Sequence, residues 1–165
     1  MAKISKQLNN AINDQINYEL YSGYIYLSMA SWFETQNLDG MAHWMKIQAN
    51  EEYDHAMRFW NHITERGGRV LLTAIESPQT NWATPLEAWD TAYQHELNVT
   101  KRISKIGDIA HKENDKSATP LLQWFYNEQI EEEEQTMKVR DRLTIIGDST
   151  NALFMLDAKL GQREG

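Results

Sequence analysis

The sequence predicts an all-α fold: a four-helix bundle with one long crossover and a short fifth helix near the C-terminal end. Apolar residues recur at three- and four-residue spacing through four long segments, the pattern of amphipathic helices, and no segment alternates as a strand does. Turn residues separate these segments. The first and second, like the third and fourth, are joined by only a few residues, which makes each pair antiparallel neighbours. Between the second and third lie roughly 17 residues, Gly68 to Thr84, which at about 3.3 Å per residue reach about 50 Å, enough to run the length of a bundle.

The first helix is expected from about Ser5 to Gln36, where Leu8, Ile12, Ile16, Leu20, Tyr24 and Leu27 form the stripe. "NLDG" at residues 37–40 ends it. The second runs from about Met41 to Arg66 and stops at Gly67 and Gly68, a C-terminal signal. "TPLE" opens the third, with Thr84 as N-cap, Pro85 at the first helical position and Glu87 completing a capping box. That helix continues to about Glu113. A fourth is expected from about Ala118 to Ile146, ending at Gly147, and a short fifth from about Asn151 to Leu160. The whole chain, 1–165, reads as a single domain, with the bundle over about 5–146.

Composition narrows the function. The 24 acidic against 16 basic residues give a net charge of -8, which repels phosphate backbones and favours cations, so nucleic acid is not an expected partner. There is no cysteine, which excludes disulfides and thiolate chemistry and leaves oxygen and nitrogen ligands. The start, "MAKISKQLNN", lacks an apolar core of signal-peptide length, and no run of about 18 apolar residues could span a bilayer. A cytoplasmic protein without a membrane partner is expected.

Several acids fall on stripes that should be apolar. In the fourth helix, continuing the face of Leu121, Phe125, Val139, Leu143 and Ile146 through its middle lands on Glu128 and Glu132, with Glu131 at the edge and Glu133 and Glu134 facing away. Glu96 sits at the centre of the stripe Trp89, Ala92, Val99, Ile103, Ile106. Glu19 lies one heptad after Ile12 and one before Tyr26, and Glu52 and His55 share a face with Phe59. The helix midpoints fall at about residues 20, 53, 99 and 132, so Glu19, Glu52, Glu96 and Glu132 each lie within roughly 5 Å of mid-bundle. Four carboxylates and an imidazole should therefore meet in one layer.

Such a layer must hold protons or cations, because burying it bare and anionic is prohibitively unfavourable. One histidine and several carboxylates suit a hard or borderline metal: paired iron first, with manganese and zinc as competitors on ligand type. Paired metals in a helical bundle follow the known class of di-metal carboxylate proteins, not the spacing alone. Taken singly, Glu52-x-x-His55 also reads as a surface pair, and the run "EEEE" as a solvated face. Coincidence across four helices carries the metal reading. His43, His62, His95 and His111 read as ordinary histidines, with His95 at the edge of the layer.

Four stretches, "NYELYSGYIYLSMASW" around Glu19, "ANEEYDHAMRF" around Glu52 and His55, "YQHELNVTKRI" around Glu96 and "LLQWFYNEQIEEEE" around Glu128, resemble the motifs of prokaryotic-type non-haem ferritins. The resemblance covers nearly the whole chain, crossover and fifth helix included. It implies a ferritin-like fold and a cage of twenty-four subunits that oxidises Fe(II) with O2 or H2O2 and stores ferric mineral. By the same resemblance, a first iron site uses Glu19, Glu52 and His55. A second shares Glu52 as bridge and adds Glu96 and Glu132, with Gln129 nearby. A third takes Glu51, Glu128, Glu131 and Glu132, and Tyr26 matches a tyrosine beside the di-iron centre that supplies an electron.

Differences from neighbouring families matter as well. Bacterioferritins carry a second Glu-x-x-His on the fourth helix, where this chain has Glu128 followed by Glu131 and Glu132 by Gln135. Tyr53 stands where their haem-ligating methionine would be, so haem is not expected. Thr119 and Leu122 replace the acids of animal-type channels. Without a second histidine the centre reads as one that passes iron through as substrate. The alternatives are a di-iron oxidase or peroxidase of the rubrerythrin or bacterioferritin kind without storage, and a purely structural bundle.

Overall fold

The computed structural model describes residues 3–165. It contains α1 (Lys6–Thr35), α2 (Asp39–Glu65), α3 (Pro85–Lys112), a 3-10 turn (Lys116–Ala118), α4 (Thr119–Ile146) and α5 (Thr150–Leu160), with no strand among the described residues. α1 packs along α2 and α3 along α4, and the two hairpins face each other through α1 against α3 and α2 against α4. The starts of α1, α3 and α5 are capped by side chains at their N-cap positions. Ser5, Thr84 and Ser149 accept from the backbone N–H groups of Leu8, Glu87 and Ala152, satisfying donors the helices cannot. Glu87 reaches back to the N–H of Ala83, one residue before the cap, rather than to Thr84 itself.

Helix ends follow the same chemistry. Gly67, at φ 68°, lets the N–H groups of Gly67 and Gly68 return to the carbonyls of Thr64 and Ile63, a Schellman closure that requires the left-handed conformation. α2 starts at Asp39, two residues before the sequence expectation. Asn37, at φ 56°, makes the turn alone, and Asp157 of α5 caps α2 from a distance, accepting from the N–H of Gly40 at 3.2 Å and of Met41 at 2.8 Å. Gly40 is required there, since a Cβ would lie 1.8 Å from the Asp157 carbonyl oxygen. α5 is thereby fixed against the start of α2.

The crossover lies along α1. Asn13 donates to the Arg69 carbonyl and accepts from the Leu71 N–H, Asn17 donates to the Ala74 carbonyl, and the Ser28 hydroxyl donates to the Gln79 carbonyl. A polar row on α1 thus satisfies backbone that has no partner of its own. Trp82 ends the segment buried against Trp32.

One stripe differs from its expected course. Leu8, Ile12 and Ile16 are buried, Leu20 is half-buried, and Tyr24 and Leu27 are exposed. The reason is geometric: each four-residue step advances about 40° around a helix of 3.6 residues per turn, so an unbroken run of fours walks off the core. The buried row is instead Leu8, Ile12, Gln15, Glu19, Ser22, Tyr26, Met29, Phe33, alternating fours and threes. α3 buries Trp89, Ala92, Glu96, Val99, Ile103, Ile106, and α4 buries Leu122, Phe125, Gln129, Glu132, Thr136, Val139, Leu143. Heptad rows of this kind place knobs into holes across a bundle. Leu121 is only half-buried, and Leu122 takes its place in the row.

The apolar core is consequently two cores. One gathers Tyr26, Met29, Phe33, Met41, Met45, Trp89 and Leu143; the other gathers Leu8, Ile12, Phe59, Val99, Ile103 and Phe125. Between them, each of α1–α4 contributes polar residues to its row.

Candidate metal centre

The polar layer holds Glu19 from α1, Glu52 and His55 from α2, Glu96 from α3, and Gln129 and Glu132 from α4, all buried. Three groups of side chains each offer ligand atoms within 4.8 Å of one another: Glu19, Glu52, His55; Glu52, Glu96, Glu132; and His55, Glu128, Glu132. Glu52 belongs to the first two, the arrangement of a bridge. His55 presents Nδ1 to Glu52 Oε2 at 3.3 Å and Nε2 to Glu128 Oε1 at 3.5 Å. A cation at Nδ1 would leave Nε2–H facing Glu128, a carboxylate placed to orient the ring from behind.

Hydrogen bonds from neighbouring side chains orient the carboxylates, and in Glu19 they leave one oxygen without a partner. Gln15 Nε2 donates to Glu19 Oε1 at 2.8 Å, and Glu19 Oε2 has no partner despite its burial. An orphaned buried carboxylate oxygen is rare and calls for a ligand. Gln48 Nε2 donates to Glu52 Oε1 at 2.9 Å and Glu132 Oε2 at 2.8 Å. Glu96 accepts from the Tyr26 hydroxyl on Oε1 and from Gln129 Nε2 at 3.2 Å on Oε2.

Burial and the mutual repulsion of the acids dominate the electrostatics of the layer. Burial, then the charge of Glu52, pushes Glu19 well above the carboxylate range; burial, then the charges of Glu96 and Glu52, does the same to Glu132. Burial and the Glu52 charge push Glu96 to about 8. Burial also opposes the charge on Glu52, but hydrogen bonds from and the charge of His55 outweigh it and hold this carboxyl below its ordinary value. Burial likewise opposes charge on His55, and hydrogen bonds to Glu128 and Glu52 with the nearby acids overcome it, raising the imidazole to about 12. Burial and the Glu52 and Glu96 charges push Tyr26 upward, keeping the phenol a donor.

Chemically, two buried three-ligand groups joined by one carboxylate can hold two cations at bridging distance, and their donors are oxygen plus one imidazole nitrogen. Similarity to known proteins decides the family. A family model described as "Ferritin-like domain" matches residues 9–146. The chain belongs to the ferritin-like family. It is 41% identical over 160 residues to a "Bacterial non-heme ferritin" of Bacteroides fragilis (strain 638R), covering 97% of this chain and 99% of that one. A protein of the same description from Staphylococcus saprophyticus is 34% identical over 97% of this chain and 96% of its own. Among solved structures, an open-pore ferritin from the hyperthermophilic archaeon Archaeoglobus fulgidus superposes with a TM-score of 0.98 at 44% identity, covering 99% of this chain and all of that one.

Within this ferritin-like chain, the remaining residues expected at the site sit at its margin. Glu128 is half-buried beside His55. Glu51 turns to Arg163, which holds its Oε2 at 2.8 Å, and Glu131 is exposed and accepts from Gln135. Glu133, expected to be solvated, is half-buried and accepts from the Thr100 hydroxyl, because α3 reaches it there. Glu134 is exposed and pairs with Lys138.

Sequence reasoning missed the residues one step out. Gln15 and Gln48 each stand four positions before a candidate ligand, and that repeated Gln-x-x-x-Glu was the available signal. Arg102 and Arg163 bind those glutamines and carry no local signal at all. His95, read as ordinary, is buried with its ring stacked on Tyr18, and burial, with help from the Arg102 charge, lowers it to about 4. Ser22 donates to the Tyr18 carbonyl, so the 2.7 Å contact between Ser22 Oγ and His95 Nε2 assigns the proton to Nε2.

Proposed function

We propose that this chain takes up Fe(II), oxidises it at the central layer and stores the ferric product inside a shell of about twenty-four copies. The observation that carries the reading is the pair of buried three-ligand groups sharing Glu52. Iron is the substrate. Glu19, Glu52 and His55 hold one Fe(II), and Glu52, Glu96 and Glu132 hold the other. Each iron gives one electron, and together they reduce O2 to the level of peroxide; with H2O2 as oxidant the same two electrons yield water. Fe(III) then hydrolyses to an oxo mineral and releases protons.

The chain's own residues supply the direction of each ligand and the exclusion of water. Tyr26 orients Glu96 and stands close enough to give a further electron, and Gln129 fixes the other Glu96 oxygen. Glu128 and Glu132 offer a third, shallower position, joined by Glu51 and Glu131 when these leave Arg163 and Gln135. Ligands that are mostly carboxylates, with one imidazole, favour passage of Fe(III) over its retention as a permanent cofactor. Tyr53 stands where a haem-ligating methionine would be, and the reading requires no haem.

The chain acts in this proposal as a single domain in the cytoplasm; no described helix is long and apolar enough to cross a membrane. The test is anaerobic loading with Fe(II) followed by oxygen. Loss of Fe(II) should outpace buffer, and Glu52→Ala should abolish the difference by removing a ligand from both sites; equal rates overturn the reading. Native mass separates storage from the oxidase alternative: a cage gives about half a megadalton, twenty-four times the 19.2 kDa chain, and a dimer opposes storage.

A further inference from the structure

We infer that Arg163, on the segment after α5, is a positioning residue for the cation held by Glu52, Glu96 and Glu132; the inference rests on the proposed paired-metal site. Its guanidinium donates from Nη1 to Gln48 Oε1 at 3.0 Å and to the Trp44 carbonyl at 3.3 Å, and from Nη2 to Glu51 Oε2 at 2.8 Å. The group lies over the Trp44 ring at 4.2 Å, and its own carbonyl contacts His43 Nε2 at 2.8 Å. The side chain is therefore fixed on four sides.

What it fixes is the direction of an amide. Gln48 could present either its oxygen or its NH2 to Glu52 and Glu132. Arginine has only donors, so a guanidinium on one end of the amide must meet the oxygen, and the NH2 is then turned to the carboxylates. In the opposite sense the amide oxygen would face two acids and the NH2 a cation. Arg163 thus sets which oxygens of Glu52 and Glu132 are tied up and which remain for metal. The same device stands on the opposite side of the layer: Arg102 Nε donates to Gln15 Oε1 at 2.9 Å, and Gln15 Nε2 to Glu19 Oε1 at 2.8 Å. Each arginine serves one metal position, Arg102 through Glu19, which belongs only to the first group, and Arg163 through Glu132, which is absent from it.

Site selectivity separates positioning from general support. Co(II), which air does not readily oxidise in oxygen and imidazole ligation, is titrated calorimetrically into the parent chain, R163M, Q48L, the double variant and R102M, with native mass and melting recorded for each. R163M should weaken one of two Co(II) affinities by about tenfold, the scale of a lost outer partner, and leave the other within about twofold. R102M should weaken the other. In the Q48L background R163M should add nothing, because Arg163 acts through Gln48. An R163M profile that overlays the parent, or losses from R163M and Q48L that multiply, overturns the inference. If R163M does not assemble, R163Q, whose amide can donate or accept and so no longer dictates the sense of Gln48, takes its place with the same expected loss. A parent that binds no Co(II) overturns both this inference and the ferroxidase reading, whereas two intact sites insensitive to R163M overturn this inference alone.

Discussion

Binding of two divalent cations at the central layer should expel about four protons. Charge balance sets the number. Without metal, Glu52 is the carboxyl whose ionised form is favoured and His55 carries the opposing charge. Burial and mutual repulsion push Glu19 and Glu132 well above the carboxylate range and Glu96 to about 8, which favours the protonated form of all three. The layer then sums to zero. Two divalent ions against four carboxylates and a neutral imidazole also sum to zero, so three carboxyl protons and the imidazolium proton exchange for two cations. Zn(II) is the probe, since it changes no oxidation state. Calorimetry in two buffers of different ionisation enthalpy gives the proton count from the difference in apparent heat. The count should fall toward about three once the pH passes about 8, where Glu96 has already ionised. A release of one proton or none per pair near neutral pH would refute the reasoning, because the carboxyls would then be ionised beforehand or lie outside the ligand set.

Three further outcomes follow from the same geometry. Glu96, raised from 4.5 to about 8, and His55, raised from 6.5 to about 12, both bind their protons more tightly in the folded chain; their contribution is complete below the ordinary values and is lost as pH climbs through the raised ones. The melting temperature of metal-free protein should thus fall between about pH 6 and 8, and a flat or rising profile would contradict it. Tyr26→Phe removes a donor that helps hold Glu96 down, so Zn(II) at that position should bind about tenfold more weakly at fixed pH and recover as pH is raised; an unchanged titration argues against the assigned role. Gly40→Ala drives a Cβ into the Asp157 backbone and forfeits the distant cap on α2, which should lower stability by about 2–4 kcal/mol, read by chemical denaturation.

The helices were legible in the sequence because their signals are local. Thr84-Pro85 starts α3, and Gly67 and Gly147 stop α2 and α4, through backbone geometry that few other residues satisfy. The core face of α1 was harder to read. A run of fours from Leu8 to Tyr24 looks continuous in one dimension and rotates off the core in three, while the true row contains Gln15, Glu19 and Ser22, which an apolar count passes over. The same omission hides Gln129 and Thr136 on α4 and shifts its stripe to Leu121. The acids at the centre could be found because mid-helix position is additive along the chain. Arg163 could not: it reaches Gln48 only through the docking of α5 on α2, a contact between residues more than a hundred positions apart.

The layer also explains why the core is divided. Two well-packed apolar halves flank a plate of acids that no local propensity favours, and such conflicts are expected where function overrides folding. Each half keeps large aromatic anchors next to the plate: Tyr26 and Trp89 on one side, Phe59 and Phe125 stacked at 4.1 Å between centroids on the other. These rings hold the four helices in register without help from the acids, so the ligands can change charge without moving the bundle. In the proposed function protons fill the plate when cations are absent and leave when cations arrive, on a frame whose two apolar clusters include none of the candidate ligands. That is the property required of a site through which a substrate ion must pass repeatedly.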